Sequence, residues 1–300
     1  MNATNPSNHP SRLPSLSVIH LSLTVAFVIF PGVFPVPWDA HRQWLALLTL
    51  IAILGLPHGA LDPLLAYRAG LWKTLPGAVA LVVAYLALVA SMLGFWQRHT
   101  AIALALFLTI TAWHFSGDWR YRGHPLVGWA SATLLLGLPA LTHPQELIAL
   151  FALLLGAETA RLFQIGLAVL GVLALPLALA TALRAIRHAP DHALELAAIG
   201  LGGFALPPLW FFALYFCVLH SPRHLARYFA AAARGAPRTL LAVGIAFSLP
   251  VIVAAVWHIS DTAQPRMSEA FARILFAGLF ALTVPHLLLV EWVENRAPGS

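Results

Sequence analysis

The sequence predicts an all-α fold: a polytopic integral membrane bundle of eight or nine transmembrane helices. Three observations carry that reading. Of the 300 residues, 60% are hydrophobic and only 9% are charged, against roughly 25% charged residues in soluble domains. Apolar stretches recur at lengths approaching the roughly 20 residues that cross a bilayer. Short polar interruptions separate them, with no internal repeat, low-complexity block or long linker. Residues 14–294 therefore read as a single transmembrane domain between a disordered N-terminal tail, 1–13, and a short C-terminal tail, 295–300.

The first stretch, Ser15 to Val36, is longer than a signal-peptide core and lacks a small-residue cleavage site, so it reads as a retained helix. Polar residues at Pro37 to Arg42 set off the second, Gln43 to Leu56; Tyr67 to Thr74 precede the third, Gly77 to Trp96; and Gln97 to Thr100 precede the fourth, Ala101 to Trp113. Asp118 to His124 lead to Leu126–Leu141, and Thr142 to Glu146 close it. Glu158 to Arg161 open Phe163–Leu183, Arg184 to His192 open Leu194–Leu219, and Ser221 to Arg238 open Leu240–Trp257. Ile259 to Ser268 then precede the last stretch, Ala270 to Val290. Most of these interruptions are short turns between packed helices.

The formal charge of +6 and the pI near 10.2 do not indicate nucleic-acid binding. The basic residues are spread among the loops, as the positive-inside bias of a multi-pass protein of the inner (plasma) membrane produces, and no Arg-rich stripe with interleaved aromatics occurs. The single cysteine, Cys217, excludes an internal disulfide and reads as a small buried apolar residue. The chain carries no Gly-x-Ser-x-Gly elbow, phosphate loop, His-Glu-x-x-His helix or Cys cluster.

Three short polar clusters lie in or beside the apolar stretches: Gly55-Leu-Pro-His58-Gly-Ala-Leu-Asp62, Trp113-His114-Phe-Ser-Gly-Asp118 and His220-Ser-Pro-Arg-His224. Polar side chains at membrane depth are costly, face the bundle interior and mark function by default. Imidazole nitrogens suit iron, copper, zinc or nickel, whereas magnesium and calcium prefer oxygen, so the four histidines suggest a metal site. His220 and His224, four apart, project from one face if helical. Asp62 and Asp118 each follow a histidine by four residues and are candidates to receive its free N–H, which would fix the tautomer of a ligating imidazole.

Ligands that share an ion must meet at similar depth. With Arg12 cytoplasmic, Arg68 and Lys73 place His58 towards the cytoplasmic face, Arg120 and Arg122 do so for His114, and Arg223, Arg227, Arg234 and Arg238 do so for His220 and His224. This requires an even number of crossings between Trp113 and His220, where three are clear. Either Pro144 to Gly156 spans or dips, or Leu194–Leu219 is broken at Gly202-Gly203 and Pro207-Pro208, which is tolerated where the freed backbone faces protein or a cavity.

His286, after Pro285 and five residues before Glu291, is an extra ligand, an outer partner of the ligands or a packing residue. His20, His41, His99, His124, His143, His188, His192 and His258 sit at loop edges and read as solvated or interfacial. Trp113, Phe115 and Trp119 flank His114, and Trp210, Phe211, Phe212, Tyr215 and Phe216 precede His220. Of these, Trp113, Phe115, Trp210, Tyr215 and Phe216 are the candidate lining of an apolar pocket suited to a long hydrocarbon dissolved in the bilayer.

The ordered set of motifs, completed by Pro285-His286 in the last helix, resembles the Brp/Blh family of membrane β-carotene 15,15′-dioxygenases over about Ile51 to Glu291. The resemblance implies non-haem Fe(II) held by His58, His114, His220 and His224, and cleavage of the central double bond of β-carotene with O2 to give two retinals. Hand-over of retinal to a rhodopsin would follow naturally. Two positions depart from the family's usual pattern, Ser116 and Ser221, both beside the ligands and affecting the pocket more than the metal. Two other classes compete: an iron-dependent membrane oxygenase or desaturase acting on another polyene or lipid, which usually carries denser histidine boxes, and a metal or proton transporter, which would show a polar file to both faces.

Overall fold

The computed structural model describes residues 15–33, 40–122, 125–230, 248–249, 252–253 and 267–294, and every regular element among them is helical. Six of the helical runs are long and apolar enough to cross a membrane: Arg42–Arg68, Leu75–Arg98, Thr100–Trp119, Pro125–Thr142, Ala157–His188 and Met267–Val293. Eight or nine were expected. Leu16–Phe30 and Pro144–Leu155 are apolar but shorter, the Leu194–Leu219 stretch is interrupted, and the Leu240–Trp257 helix lies almost wholly outside the described residues. Large side chains such as Val83, Leu86, Leu173 and Leu183 are exposed, a surface that suits lipid rather than water.

After α1 (Leu16–Val33), the second run is longer than expected and changes its winding three times. It comprises α2 (Ala40–Leu50), a π-helical turn (Ile51–Gly55), a 3-10 segment (Leu56–Leu61) and α3 (Asp62–Arg68). Pro57 and Pro63 lie in this run, and each removes a backbone donor that regular α-winding would use. A second π-helical segment, Tyr215–His220, lies against the first. The Ser221 hydroxyl donates to the Leu54 carbonyl at 2.5 Å, and the Cys217 thiol donates to the Leu50 carbonyl at 3.6 Å. Carbonyls at the irregular turn thus find donors on the facing segment, which membrane depth demands.

Then come α4 (Leu75–Arg98), α5 (Thr100–Ser116), a 3-10 turn (Gly117–Arg122), α6 (Pro125–Thr142), α7 (Pro144–Leu155) and α8 (Ala157–His188). The chain then breaks at Leu206-Pro207, one of the two alternatives left open by the sequence, while Gly202 and Gly203 stay inside the helix: α9 (Pro190–Ala205) stops before Leu206, and α10 (Pro208–Leu214) begins after Pro207 and runs on into the second π segment. Four contacts fix chain direction. Near the His114 end, the Trp119 indole donates to Glu195 Oε2 at 2.7 Å, and Ser131 meets His192 at 3.5 Å. At the opposite end, Gln164 donates to the Ala140 carbonyl at 2.8 Å and Thr142 to the Gly203 carbonyl at 2.5 Å. So α6 leaves the histidine end, α8 returns, α9 leaves, and α10 with its π extension returns His220 to it. The 12-residue α7 does not change that parity, because the bond from Gln164 to the Ala140 carbonyl sets the start of α8 beside the end of α6.

Helices α11 (Ser221–Ala230) and α12 (Met267–Glu294) complete the described elements. Backbones approach closely at two glycine positions. A Cβ on Gly137 of α6 would stand 2.6 Å from Gly171 Cα of α8, the small-residue contact common between membrane helices. A Cβ on Gly128 would collide with the Ser116 carbonyl oxygen, which draws the start of α6 against the end of α5 beside the histidines.

Candidate metal centre

Three of the four motif histidines converge. His114 is in the last turn of α5, His220 ends the second π segment, and His224 is in the first turn of α11. Their candidate ligand atoms all lie within 4.8 Å of one another. Ring centroids are 4.8 Å apart for His114 and His220, 5.3 Å for His114 and His224, and 4.5 Å for His220 and His224. His220 is fully buried, and His114 Nε2 is buried with no hydrogen-bond partner among the described residues. The His58 side chain lies outside the described residues. Its backbone belongs to the Leu56–Leu61 3-10 segment, which comes close to α12: a Cβ on Gly59 would stand 3.9 Å from His286 Nδ1.

The two aspartates are at the site, but Asp118 does not serve the histidine next to it in sequence. After Ser116 the chain tightens from α to 3-10 winding, so the expected four-residue register with His114 is lost. Asp118 Oδ2 instead accepts from His220 Nδ1 at 2.8 Å and from the Tyr215 hydroxyl at 2.6 Å, and its Oδ1 lies 3.5 Å from His224 Nε2. Asp62 accepts from His286 Nδ1 at 2.7 Å and from the Tyr85 hydroxyl at 2.9 Å. Because a carboxylate only accepts, His220 and His286 each carry a proton on Nδ1 and turn Nε2 away from their aspartates, whereas His224 faces Asp118 with Nε2.

A buried polar network stands behind the cluster. The Arg223 guanidinium donates to Glu195 Oε1 at 2.7 Å and to the Asp118 carbonyl at 3.2 Å. The fully buried Glu195 also accepts from Ser17 at 2.6 Å and from Trp119. Glu195, Tyr85 and the anchoring role of Tyr215 were not picked out in the sequence. Glu195 had a usable signal, a lone carboxylate at the edge of an apolar stretch; the tyrosines had none. His192 and His20, expected at interfaces, are both buried, 1% exposed. His192 packs beside Trp119 and His20 edges Tyr215, so the network and its aromatic neighbours cover what sequence position alone suggested was water. His99 and His188 are exposed as expected and His143 is partly so; the side chains of His41, His124 and His258 lie outside the described residues.

The cluster opens on a cavity of about 380 Å³ between α4, α5 and α12. His114, His220, Asp62 and His286 form part of its wall. Apolar side chains supply much of the rest, among them Phe115, Phe216, Leu81, Val89 and Leu282. Three residues expected in the lining do other work. Trp113 and Trp210 do not line it, Trp210 packing on Phe27 with ring centroids 5.7 Å apart, and the fully buried Tyr215 spends its hydroxyl on Asp118.

A largely buried set of imidazoles, with His220 backed by a carboxylate, is a donor set suited to a first-row transition metal and unsuited to magnesium or calcium. Placed against an apolar cavity, it can bring metal chemistry to a hydrocarbon. Comparison with known proteins points the same way. The family model described as "Beta-carotene 15,15'-dioxygenase" matches residues 49–294. The β-carotene 15,15′-dioxygenase of the uncultured marine bacterium 66A03 is 28% identical over 266 residues, covering 84% of this chain and 94% of that protein. The probable β-carotene 15,15′-dioxygenase Blh of Halobacterium salinarum is 26% identical over 328 residues, covering 94% and 92%. No solved structure matches. The matched segment holds every histidine motif and the helices that bring them together, and on that ground the chain belongs to the β-carotene 15,15′-dioxygenase family.

Proposed function

We propose that this protein is a multi-pass dioxygenase of the plasma membrane that cleaves the 15,15′ double bond of β-carotene with O2 to give two retinals, using Fe(II) held by His58, His114, His220 and His224. The observation that carries the reading is a buried histidine cluster at the wall of a largely apolar cavity, in a chain of this family. Fe(II), when bound, would supply the activation of O2 that an alkene alone cannot achieve.

The chain's own residues do the rest. Asp118 fixes the tautomer of His220 and, with Tyr215, its ring orientation. Arg223, anchored on Glu195 and on the Asp118 carbonyl, ties α11 to the 3-10 turn and so sets His224 relative to His220. Phe115 and Phe216, 4.6 and 5.6 Å from the His220 ring by centroids, give the polyene a flat apolar wall and keep water away. Positioning a double bond beside the metal converts an encounter into a held geometry, the larger part of what the protein needs to contribute. The apolar lining fits a carotenoid better than a hydrated ion in transit. Product formed here is already in the bilayer, within reach of a retinal-binding partner such as a rhodopsin.

The test uses the full-length protein in detergent. Stripped of metal it should turn over no β-carotene, and Fe(II) should restore two retinals per carotene consumed. Undiminished cleavage by metal-free protein, or products of off-centre cleavage, would sink the proposal.

A further inference from the structure

The arrangement that orients His220 occurs a second time in the same cavity wall. On one side Tyr215 and Asp118 hold His220, with 2.6 Å from hydroxyl to carboxylate and 2.8 Å from carboxylate to Nδ1. On the other, Tyr85 and Asp62 hold His286, with 2.9 and 2.7 Å for the same contacts. His114 stands between them: its ring meets His220 at 77° and His286 at 87°, both edge-on. Its centroid is 5.6 Å from that of His286, close to the 5.3 Å that separates it from His224 inside the cluster. His286 and Asp62 are buried, 4% and 1% exposed, and both face the cavity.

We propose that His286 is a further imidazole ligand of this metal centre, oriented by the Tyr85–Asp62 pair as His220 is by Tyr215 and Asp118. The proposal rests on the reading of the cluster as an iron site. A merely structural pair would tie α12 to α3 and could point its imidazole anywhere. This imidazole, with Nδ1 committed to Asp62, turns its other nitrogen away from the carboxylate and meets the His114 ring in a T-shaped contact. The His58 turn passes beside this imidazole too, since a Cβ on Gly59 would stand in ordinary contact, 3.9 Å, with His286 Nδ1. The last helix therefore brings a further imidazole to the centre beside His114, and its motif is part of the metal site rather than of the packing.

The test counts imidazoles rather than product. Fe(II)-loaded full-length protein and its His286→Gln variant are compared by X-ray absorption at the iron edge, and by the rate at which a chelator removes the iron. The variant should show one imidazole fewer and lose iron faster than Asp62→Asn, which removes the carboxylate behind that imidazole and should itself speed the loss about 10- to 100-fold. An unchanged imidazole shell with unchanged iron release in His286→Gln overturns the proposal. If that variant does not fold, near-isosteric Asp62→Asn decides: faster iron loss with an unshifted melting temperature of the metal-free protein supports the proposal, and unaltered iron retention overturns it. Wild-type protein that takes up no iron removes the parent reading as well. Iron-loaded wild type beside an indifferent His286→Gln removes this inference alone.

Discussion

Among the described residues, Asp118 ties several parts of the centre together: its carboxylate accepts from His220 and from Tyr215 and lies beside His224, and its backbone carbonyl accepts from Arg223. Asp118→Asn keeps the shape but replaces an acceptor oxygen by a donor. Retinal formation should fall roughly 10- to 100-fold, the usual cost of losing a carboxylate behind a metal-binding histidine. Steady-state turnover with iron content measured alongside checks this, and unchanged turnover would dismiss the role given to Asp118. Arg223→Ala acts differently. It leaves the Glu195 carboxylate buried without its cation, a change that costs about 3–5 kcal/mol in comparable buried pairs. The thermal unfolding midpoint should drop markedly, and replacing Glu195 by Gln in the same chain should recover part of the loss; equal midpoints for wild type and Arg223→Ala would contradict the pairing. At this scale the residue types were legible and the pairings were not. Histidines and aspartates beside apolar stretches announce a site, but which aspartate meets which histidine depends on where the winding tightens after Ser116. His286 likewise gave little sign in sequence of the partner it finds in Asp62, 224 positions away.

Among the elements, two π-helical segments facing each other are the local irregularity that makes the site. They set the Cys217 and Ser221 donors against the carbonyls of Leu50 and Leu54 and deliver His220 at the segment's last residue. Ser221→Ala removes a donor from the part-buried Leu54 carbonyl and should destabilise by about 0.5–1.5 kcal/mol. Measured as a melting shift, an effect of zero would mean that these carbonyls are satisfied in another way. Gly128 has the complementary role of allowing close approach. Gly128→Val would drive a side chain into the Ser116 carbonyl, and overpacking of that kind typically costs about 1–3 kcal/mol. The displaced end of α5 should also weaken iron retention through His114; a variant with wild-type melting and iron content would contradict the tight contact. The break in Leu194–Leu219 was legible as one of two alternatives, through the backbone consequences of Pro207 and Pro208, whereas Gly202 and Gly203 stay within α9. The π turns were not, since no residue type encodes them and they form only where two segments satisfy one another's backbone groups.

For the whole molecule, helical class and membrane character followed from composition, and the common depth of three histidine motifs followed from the placement of Arg and Lys in the loops. The described structure gives that depth a physical route. Helix α6 leaves the histidine end, α8 returns, α9 leaves again and α10 brings His220 back, with α7 joining the end of α6 to the start of α8 on the same side. Helix number was less legible, because hydropathy does not separate a full crossing from a short apolar helix such as Pro144–Leu155. The resulting cavity, about 380 Å³ with the cluster in its wall, places the chemistry where a bilayer-dissolved polyene can reach it. The most direct test is expression of the intact chain in cells that accumulate β-carotene, with pigments extracted and retinal assayed by chromatography. The account predicts loss of yellow colour with retinal appearing, and persistence of the carotene when His114 or His220 is replaced by Ala. Undiminished carotene with no retinal in cells that make iron-loaded wild-type protein would contradict it.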